Sequence, residues 1–476
     1  MLSIFQAAAR FPDRLAVCGP DGSLSFAQLA RRVREVSALL LKRGGFEPGG
    51  APLPIVVRPT LRSVVLVHAC IARHVPFLPI HPRLPNNERE QLVARAGARA
   101  WIDADELDFA SPGRDTPLPE PTPEEPELPL AYVTTSGSSG EPKIVVLTRR
   151  AFIAAADASA ANLPLSPADR WLLCLPLSHV GGISIVTRCL LAGAAVALWQ
   201  PAASGLLGDL AGLTQTLTSM RVSLLSLVPT ILQALLEEQP EWQPSADLRA
   251  ILLGGAATSS TLLQQTERRN IPILVSYGLT EACSQVATTK LGSRPHHQGQ
   301  LVSCGRSLPG IELRVVAERI QIRGPTLCSA VLGRSGPLLE PDGWLTTEDR
   351  GFLDEHGELF VLGRATELIV SGGENVDPRR VERALLALPG VRDAAVFGVP
   401  EPRYGELVAC ALVVTEGFSS ERAFAKLAEQ LASYERPRRW AIVPRIPLNS
   451  SGKRDQNALQ SLAIPNLREL RWSVRS

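Results

Sequence analysis

Thr134-Thr135-Ser136-Gly137-Ser138-Ser139-Gly140-Glu141-Pro142-Lys143 sits between two runs with strand character, Leu130-Ala131-Tyr132-Val133 before it and Ile144-Val145-Val146-Leu147 after it. Glycines allow a backbone to bend closely around a ligand, and N–H groups exposed in such a bend form a nest for anions. Thr134, Thr135, Ser136, Ser138 and Ser139 add hydroxyl donors, Gly137 and Gly140 the bends, and Lys143 a positive charge. These residues describe either a phosphate-cradling loop between two strands or a plain Gly/Ser hairpin turn, and the string alone does not separate the two. A Walker loop is disfavoured, because it needs Gly-Lys-Ser or Gly-Lys-Thr running directly into a helix. Here Glu-Pro-Lys follows the second glycine and a strand comes next.

Outward from this stretch the chain alternates strand and helix. On the N-terminal side, Ser25 and Gln28 form a capping box ahead of a helical face of Leu29, Val33, Val36 and Leu40, which Gly44-Gly45 stops. A strand at Ile55–Val57, a buried helix at Ser63–His74 and a strand at Val75–Ile80 follow. Residues 111–129 hold seven prolines among Glu, Asp and Thr and form an extended connector. On the C-terminal side, strands are expected at Trp171–Leu175, Ala194–Trp199, Val222–Leu227, Ala250–Leu253 and Ile271–Val275, with helices at Ala151–Ala161, at Gly182–Leu191 and from Pro229. This β-α-β rhythm predicts an α/β fold with parallel sheets and covering helices. Short alternating strands at Glu312–Val316, Arg319–Arg323 and Glu358–Leu362 mark a small β-rich subdomain over about 305–365. An α+β pattern fills the rest. The expected division is a large N-terminal domain, 1–365, and a C-terminal domain, 366–476.

Composition narrows the function. In 476 residues the formal net charge is +2, which gives no case for nucleic acid or a membrane surface as partner. No apolar run approaches the ~20 residues of a membrane helix, and Met1–Gln6 lacks the pattern of a signal peptide. The eight cysteines, none in a Cys-x-x-Cys pair, read as buried thiols in a reducing compartment, and no structural zinc site is suggested. Cytoplasm is the expected location. Oligomeric state is left open.

Six further strings fall at or after predicted strand ends, where ligands bind in open α/β sheets. They are Leu175–Gly182 with His179, Leu253-Gly254-Gly255-Ala256-Ala257, Ser276-Tyr277-Gly278-Leu279-Thr280-Glu281, Thr346–Gly351 with Asp349, Ser371-Gly372-Gly373-Glu374-Asn375, and Pro447–Lys453. Each has an ordinary explanation: a half-buried histidine, a tight turn, a capped helix start, a turn aspartate, a β-turn, a solvated loop lysine. Thr280 is expected to open a helix, whose N-terminus would favour an anion. Together with the Ser/Gly string, these stretches resemble the signature motifs of the adenylate-forming superfamily, which joins acyl-CoA synthetases, luciferases and peptide-synthetase adenylation domains. The resemblance spans nearly the whole chain.

It implies an enzyme that uses ATP, Mg²⁺ and coenzyme A on a small-molecule carboxylic acid. By that resemblance the Ser/Gly loop holds the phosphates, and Gly255, Ala256, Ala257 and Tyr277 meet the adenine. Thr280 meets the α-phosphate and Glu281 holds Mg²⁺. Asp349 grips the ribose, with Arg364 beside it. His179 and Gly278 face the acid, Gly372 and Gly373 line a path for the thiol, and Lys453 is catalytic. The hinge falls on Thr366, where the superfamily usually has Asp or Lys, and the C-terminal domain is expected to move about it. Arg188 lies in an otherwise apolar helix, where a charge is costly unless paired. Either its head reaches water or it binds a second carboxylate on the substrate. The stretch around it, with Leu227-Val228-Pro229-Thr230, looks like the o-succinylbenzoate–CoA ligases of menaquinone biosynthesis. Alternatives are a ligase for another aryl or short acid, a stand-alone adenylation enzyme, and a catalytically inert protein of the same fold.

Overall fold

The structure is a computed structural model that describes residues 1–43, 48–107, 125–135, 143–202, 206–334, 336–371, 373–402, 404–449, 452–470 and 472. A nine-stranded sheet carries at its centre six parallel strands, in the order Ile273–Leu279, Ala250–Leu253, Leu224–Leu227, Arg170–Leu173, Ala195–Leu198 and Leu15–Gly19. Ala250–Leu253, Leu224–Leu227 and Ala195–Leu198 are buried at every residue. Unbroken apolar runs of this kind suit parallel strands covered on both faces. A six-stranded sheet runs Ala330–Leu332, Lys143–Thr148, Pro129–Thr135, Phe77–Ile80, Leu53–Val56 and Ile102–Asp103. Helices Phe26–Arg43, Leu61–Ala72, Arg149–Asn162 and Val180–Ala192 share one core with strands of both sheets. Helices Leu210–Ser219, Pro229–Glu238 and Ser260–Arg268 join a second core against the nine-stranded sheet.

The capping box forms as the sequence predicts. Gln28 Oε1 accepts the Ser25 N–H at 2.8 Å, and Ser25 Oγ accepts the Gln28 N–H at 3.3 Å. The glycine pair expected to end that helix, and the proline-rich connector up to residue 124, lie outside the described residues. The β-rich part is a four-stranded antiparallel sheet of Glu312–Val316, Arg319–Arg323, Leu345–Leu353 and Leu359–Arg364. The third of these strands has no apolar alternation to announce it in the sequence, where Thr346–Gly351 stands out only as a motif. Beyond it a six-stranded sheet is built on Gly405–Val414, with helices Pro378–Leu386, Ser420–Gln430 and Gln456–Ala463. Among the described residues, no helix is long and apolar enough to cross a membrane. All eight cysteines are free, and six of them are buried.

One expectation fails. The strand expected to stop at Val275 continues to Leu279, and Thr280–Ala282 is a single 3-10 turn rather than the start of a helix. Cys283 at φ 53 and Ser284 at φ 91 reverse the chain into Ser284–Thr288, which pairs antiparallel with the strand just left. Gly278 is what this hairpin requires, since a Cβ there would fall inside the Ser284 carbonyl. A backbone obstacle cannot rotate away, so Gly278→Ala should destabilise the fold by more than about 3 kcal/mol. Urea unfolding followed by circular dichroism measures this, and a midpoint equal to wild type would refute the steric account.

Candidate active site

The parallel strands of the nine-stranded sheet all end on one edge, and the chain leaves that edge through the motif residues. His179 follows Arg170–Leu173, Thr230 follows Leu224–Leu227, Gly255 follows Ala250–Leu253, and Tyr277 lies near the end of Ile273–Leu279. The hairpin of Leu345–Leu353 and Leu359–Arg364 faces this edge with Asp349 paired opposite Arg364. The Tyr277 hydroxyl donates to Asp349 Oδ2 at 2.8 Å, and Arg364 Nε stands 3.4 Å from Asp349 Oδ1. Burial, and then the Asp349 carboxylate, hold the Tyr277 phenol well above its ordinary pKa, so it remains a donor.

Lys453 completes the crevice from the far end of the chain. A Cβ on Gly255 would lie 3.2 Å from Lys453 Cε, so the lysine stem passes directly over the glycine turn. The Gly452 backbone, at φ 75, packs on Val228 and Ile231. The Thr230 hydroxyl donates to the Gly452 carbonyl at 2.8 Å and ties the loop to the sheet edge. Lys453 is exposed as a whole residue, but desolvation in the crevice and then Arg364 hold its ammonium below the ordinary lysine pKa; Asp349 and Glu281 oppose them. Desolvation, then Lys453 and His81, push His179 down to about 4. His179 is therefore neutral near pH 7, and its Nε2 is buried without a hydrogen-bond partner.

The other expected residues fall in two groups. Thr134 and Thr135 pair with Ile144 and Lys143 across an antiparallel hairpin, and Lys143 Nζ donates to Glu348 Oε1 at 3.1 Å, next to Asp349. Ala256 and Ala257 are exposed along the turn after Gly255. Glu281 lies on the 3-10 turn, within electrostatic reach of Lys453 and Arg364. Thr366 is exposed on the short turn Ala365–Glu367 between the last two sheets. Ser136, Gly137, Ser138, Ser139, Gly140 and Gly372 lie outside the described residues. Gly373, at φ 87, occupies a turn between Ile369–Ser371 and Glu374–Val376.

Arg188 does not reach water. It is 3% exposed, its guanidinium lies 5.6 Å from the Trp171 ring, and Nε and Nη2 are buried without hydrogen-bond partners. Desolvation lowers it to about 10, so the charge is retained at neutral pH. Arg149 shows the contrast, being equally buried but donating to the carbonyls of Ile71 at 3.0 Å and Leu2 at 3.2 Å.

The sequence alone points to no role for Thr230, Glu348 or His81. The clue to Thr230 was its position immediately after Pro229 at a strand's carboxyl end. A separate cavity of about 760 Å³, lined among others by Arg32, Arg58, Arg62 and Arg83, contains none of the expected residues. Arg58 there is paired with Asp103 at 2.6 Å and Asp105 at 3.1 Å.

Residues 4–326 match the model of the AMP-binding enzymes, and residues 380–453 match that of the AMP-binding enzyme C-terminal domain. The chain belongs to the AMP-binding enzyme family. Among members of this family, a 2-succinylbenzoate–CoA ligase from Bacillus velezensis is 32% identical, over 96% of this chain and 97% of the relative. Bacillus subtilis o-succinylbenzoate CoA synthetase, solved with its acyl-adenylate intermediate, superposes with a TM-score of 0.84 at 27% identity, covering 98% of this chain and 99% of the other. The same synthetase solved with ATP and magnesium gives 0.83 at 28% identity, over 96% and 98%. The two AMP-binding matches span both the N-terminal motifs and Lys453.

Proposed function

We propose that this AMP-binding enzyme is an acid–thiol ligase that converts o-succinylbenzoate, ATP and coenzyme A to o-succinylbenzoyl-CoA in the cytoplasm. The observation that carries this reading is Lys453, which lies over Gly255 and faces Arg364, Asp349 and Glu281. The full-length likeness to ligases of that substrate supports the choice of acid.

A carboxylate is a poor acyl donor because its oxygen leaves badly. Attack of the carboxylate on the α-phosphorus of ATP forms the acyl–AMP bond and expels pyrophosphate. Lys453 stabilises the negative charge that grows around that phosphorus, in a site already oriented for it. Tyr277 stacks on adenine, and its hydroxyl fixes Asp349 for the ribose. Lys143 and the Ser/Gly loop receive the phosphates, and Thr280 the α-phosphate. Glu281 offers the oxygen ligand that Mg²⁺ takes, and the ion, when bound, neutralises phosphate charge. The region after Thr366 then swings, withdrawing Lys453 and bringing Gly372 and Gly373 to the crevice. The coenzyme A thiolate attacks the acyl carbon, and AMP leaves. Arg188 takes the second carboxylate of the acid. With His179 neutral, Arg188 is the cation available for it from this helix.

Pyrophosphate release across a panel of acids, with thioester formation followed in parallel, tests the proposal. The highest kcat/KM should belong to o-succinylbenzoate. Preference for a different aryl or short acid would keep the chemistry and overturn the substrate, and silence with every acid would overturn both.

The Thr230–Gly452 bond gives a further prediction. A neutral hydrogen bond contributes about 1 kcal/mol, so Thr230→Val should slow adenylation roughly fivefold. Thioester formation from supplied acyl-adenylate should be unaffected, since Lys453 has withdrawn by then. Single-turnover measurements of the two half-reactions distinguish this from a general loss of activity.

A further inference from the structure

We propose that His296, Asp354 and Glu358 form a binding site for one divalent transition-metal ion of the zinc class, separate from Glu281. His296 Nδ1 stands 3.4 Å from Asp354 Oδ2 and 4.0 Å from Glu358 Oε2, and the three ligand atoms all lie within 4.8 Å of one another. The Asp354 side chain is 4% exposed. Its Oδ1 is committed to the turn, accepting the N–H groups of His356 at 3.0 Å and Glu358 at 2.8 Å. Its Oδ2 points the other way, toward His296, and is buried with no hydrogen-bond partner. Glu358 Oε2 is buried and unpartnered as well. A buried carboxylate oxygen without a donor is costly, and two such oxygens converging on one imidazole nitrogen leave a position that a cation satisfies.

The ligand chemistry selects the ion. Ligands about 2.1 Å from a tetrahedral centre lie roughly 3.4 Å apart, the observed His296–Asp354 spacing; Glu358 closes the remainder by a small side-chain movement. An imidazole beside two carboxylates suits zinc and its neighbours, whereas Mg²⁺ and Ca²⁺ favour all-oxygen sets. The fourth position is left to water. His296 is braced for the role, with its ring edge-on to Phe360 at 5.8 Å and its carbonyl accepting the Ser303 N–H at 2.8 Å. The cysteine spacing gave no sign of the site because no thiol takes part.

The site's position suggests its use. Asp354 and Glu358 bound the turn of the hairpin whose other end carries Asp349 and Arg364. At about 3.3 Å per residue, the two ends are roughly 20 Å apart. An ion at the turn clamps this hairpin to the His296 loop without touching the crevice.

The test uses the full-length chain, stripped with chelator and titrated with Co²⁺ in excess Mg²⁺. The expected result is one saturating equivalent with visible d–d bands, no thiolate-to-cobalt charge-transfer band, and displacement by Zn²⁺. Asp354→Asn keeps the turn acceptor, and Glu358→Gln is isosteric and uses no side-chain bond of the turn. Each should weaken binding at least tenfold, a floor set by the roughly 10–100-fold losses seen even for outer-sphere partners, and each should lose the metal-dependent rise in Tm. Glu281→Gln should still bind one equivalent. Absence of saturable binding, a thiolate band, or wild-type affinity in both ligand variants would overturn the proposal, leaving a histidine–carboxylate ion pair only.

Discussion

Lys453→Ala is expected to lower acyl-adenylate formation by about two to three orders of magnitude, the usual cost of removing one preorganised charge-stabilising donor. Thioester formation from supplied acyl-adenylate should stay near the wild-type rate. The asymmetry follows from position. Lys453 lies over Gly255 and faces the Asp349–Arg364 pair, and the Thr230 bond to the Gly452 carbonyl helps to hold it there. Desolvation and Arg364 keep the ammonium below the ordinary lysine pKa. The lysine acts as a cation, so kcat/KM for adenylation should fall on the alkaline side before an unperturbed lysine would titrate, and Lys453→Ala should abolish that limb. Equal losses in both half-reactions would mean that the residue supports the fold rather than one chemical step.

The second large effect belongs to Arg188. Arg188→Leu should reduce kcat/KM for o-succinylbenzoate by about two to three orders of magnitude, corresponding to the roughly 2–5 kcal/mol lost when one partner of a desolvated charge pair is removed. A related acid lacking the second carboxylate should lose far less. The sign of the stability change is the sharper test. Truncating a buried arginine usually strands its partners, but Nε and Nη2 of Arg188 have none. Burying a charge without a partner is costly, and an apolar side chain of similar size removes that cost, so thermal denaturation of the ligand-free variant should give a Tm no lower than wild type. Arg149→Leu serves as the contrast. It abandons the Ile71 and Leu2 carbonyls and should lower Tm. A large drop in Tm for Arg188→Leu, with both acids affected alike, would make Arg188 a packing residue.

Much of this architecture could be read along the chain, for identifiable reasons. Glu312–Val316 and Arg319–Arg323 were legible because two alternating strands flank a turn, where Ala317 and Glu318 adopt φ 47 and φ 62. Ala250–Leu253 was legible as an unbroken apolar run ending in glycines. The strand Leu345–Leu353 was hidden because Glu348, Asp349 and Arg350 interrupt its apolar pattern. Those charges find partners far away in sequence: Lys143 for Glu348, Arg364 for Asp349, Glu318 for Arg350. The turn at Thr280 looks like a helix start in the sequence because nothing local announces that Cys283 takes a left-handed conformation. Convergence of the motif residues was legible in outline, since parallel strands end on one edge. The burial of Arg188 was not, because it depends on two sheets closing over one helix.

The free cysteines bear on the chemistry in one more way. An acyl group activated in this crevice is a target for any thiolate, and Cys174 precedes His179 just as Cys283 follows Glu281. Desolvation raises the half-buried Cys174 to about 12, and its Sγ–H donates to the Ser226 carbonyl at 3.1 Å; burial pushes Cys283 far up. Because the thiolate is the reactive species, the protein's own sulfurs are kept from self-acylation, and the thiol that the activated group meets is the one delivered from solution.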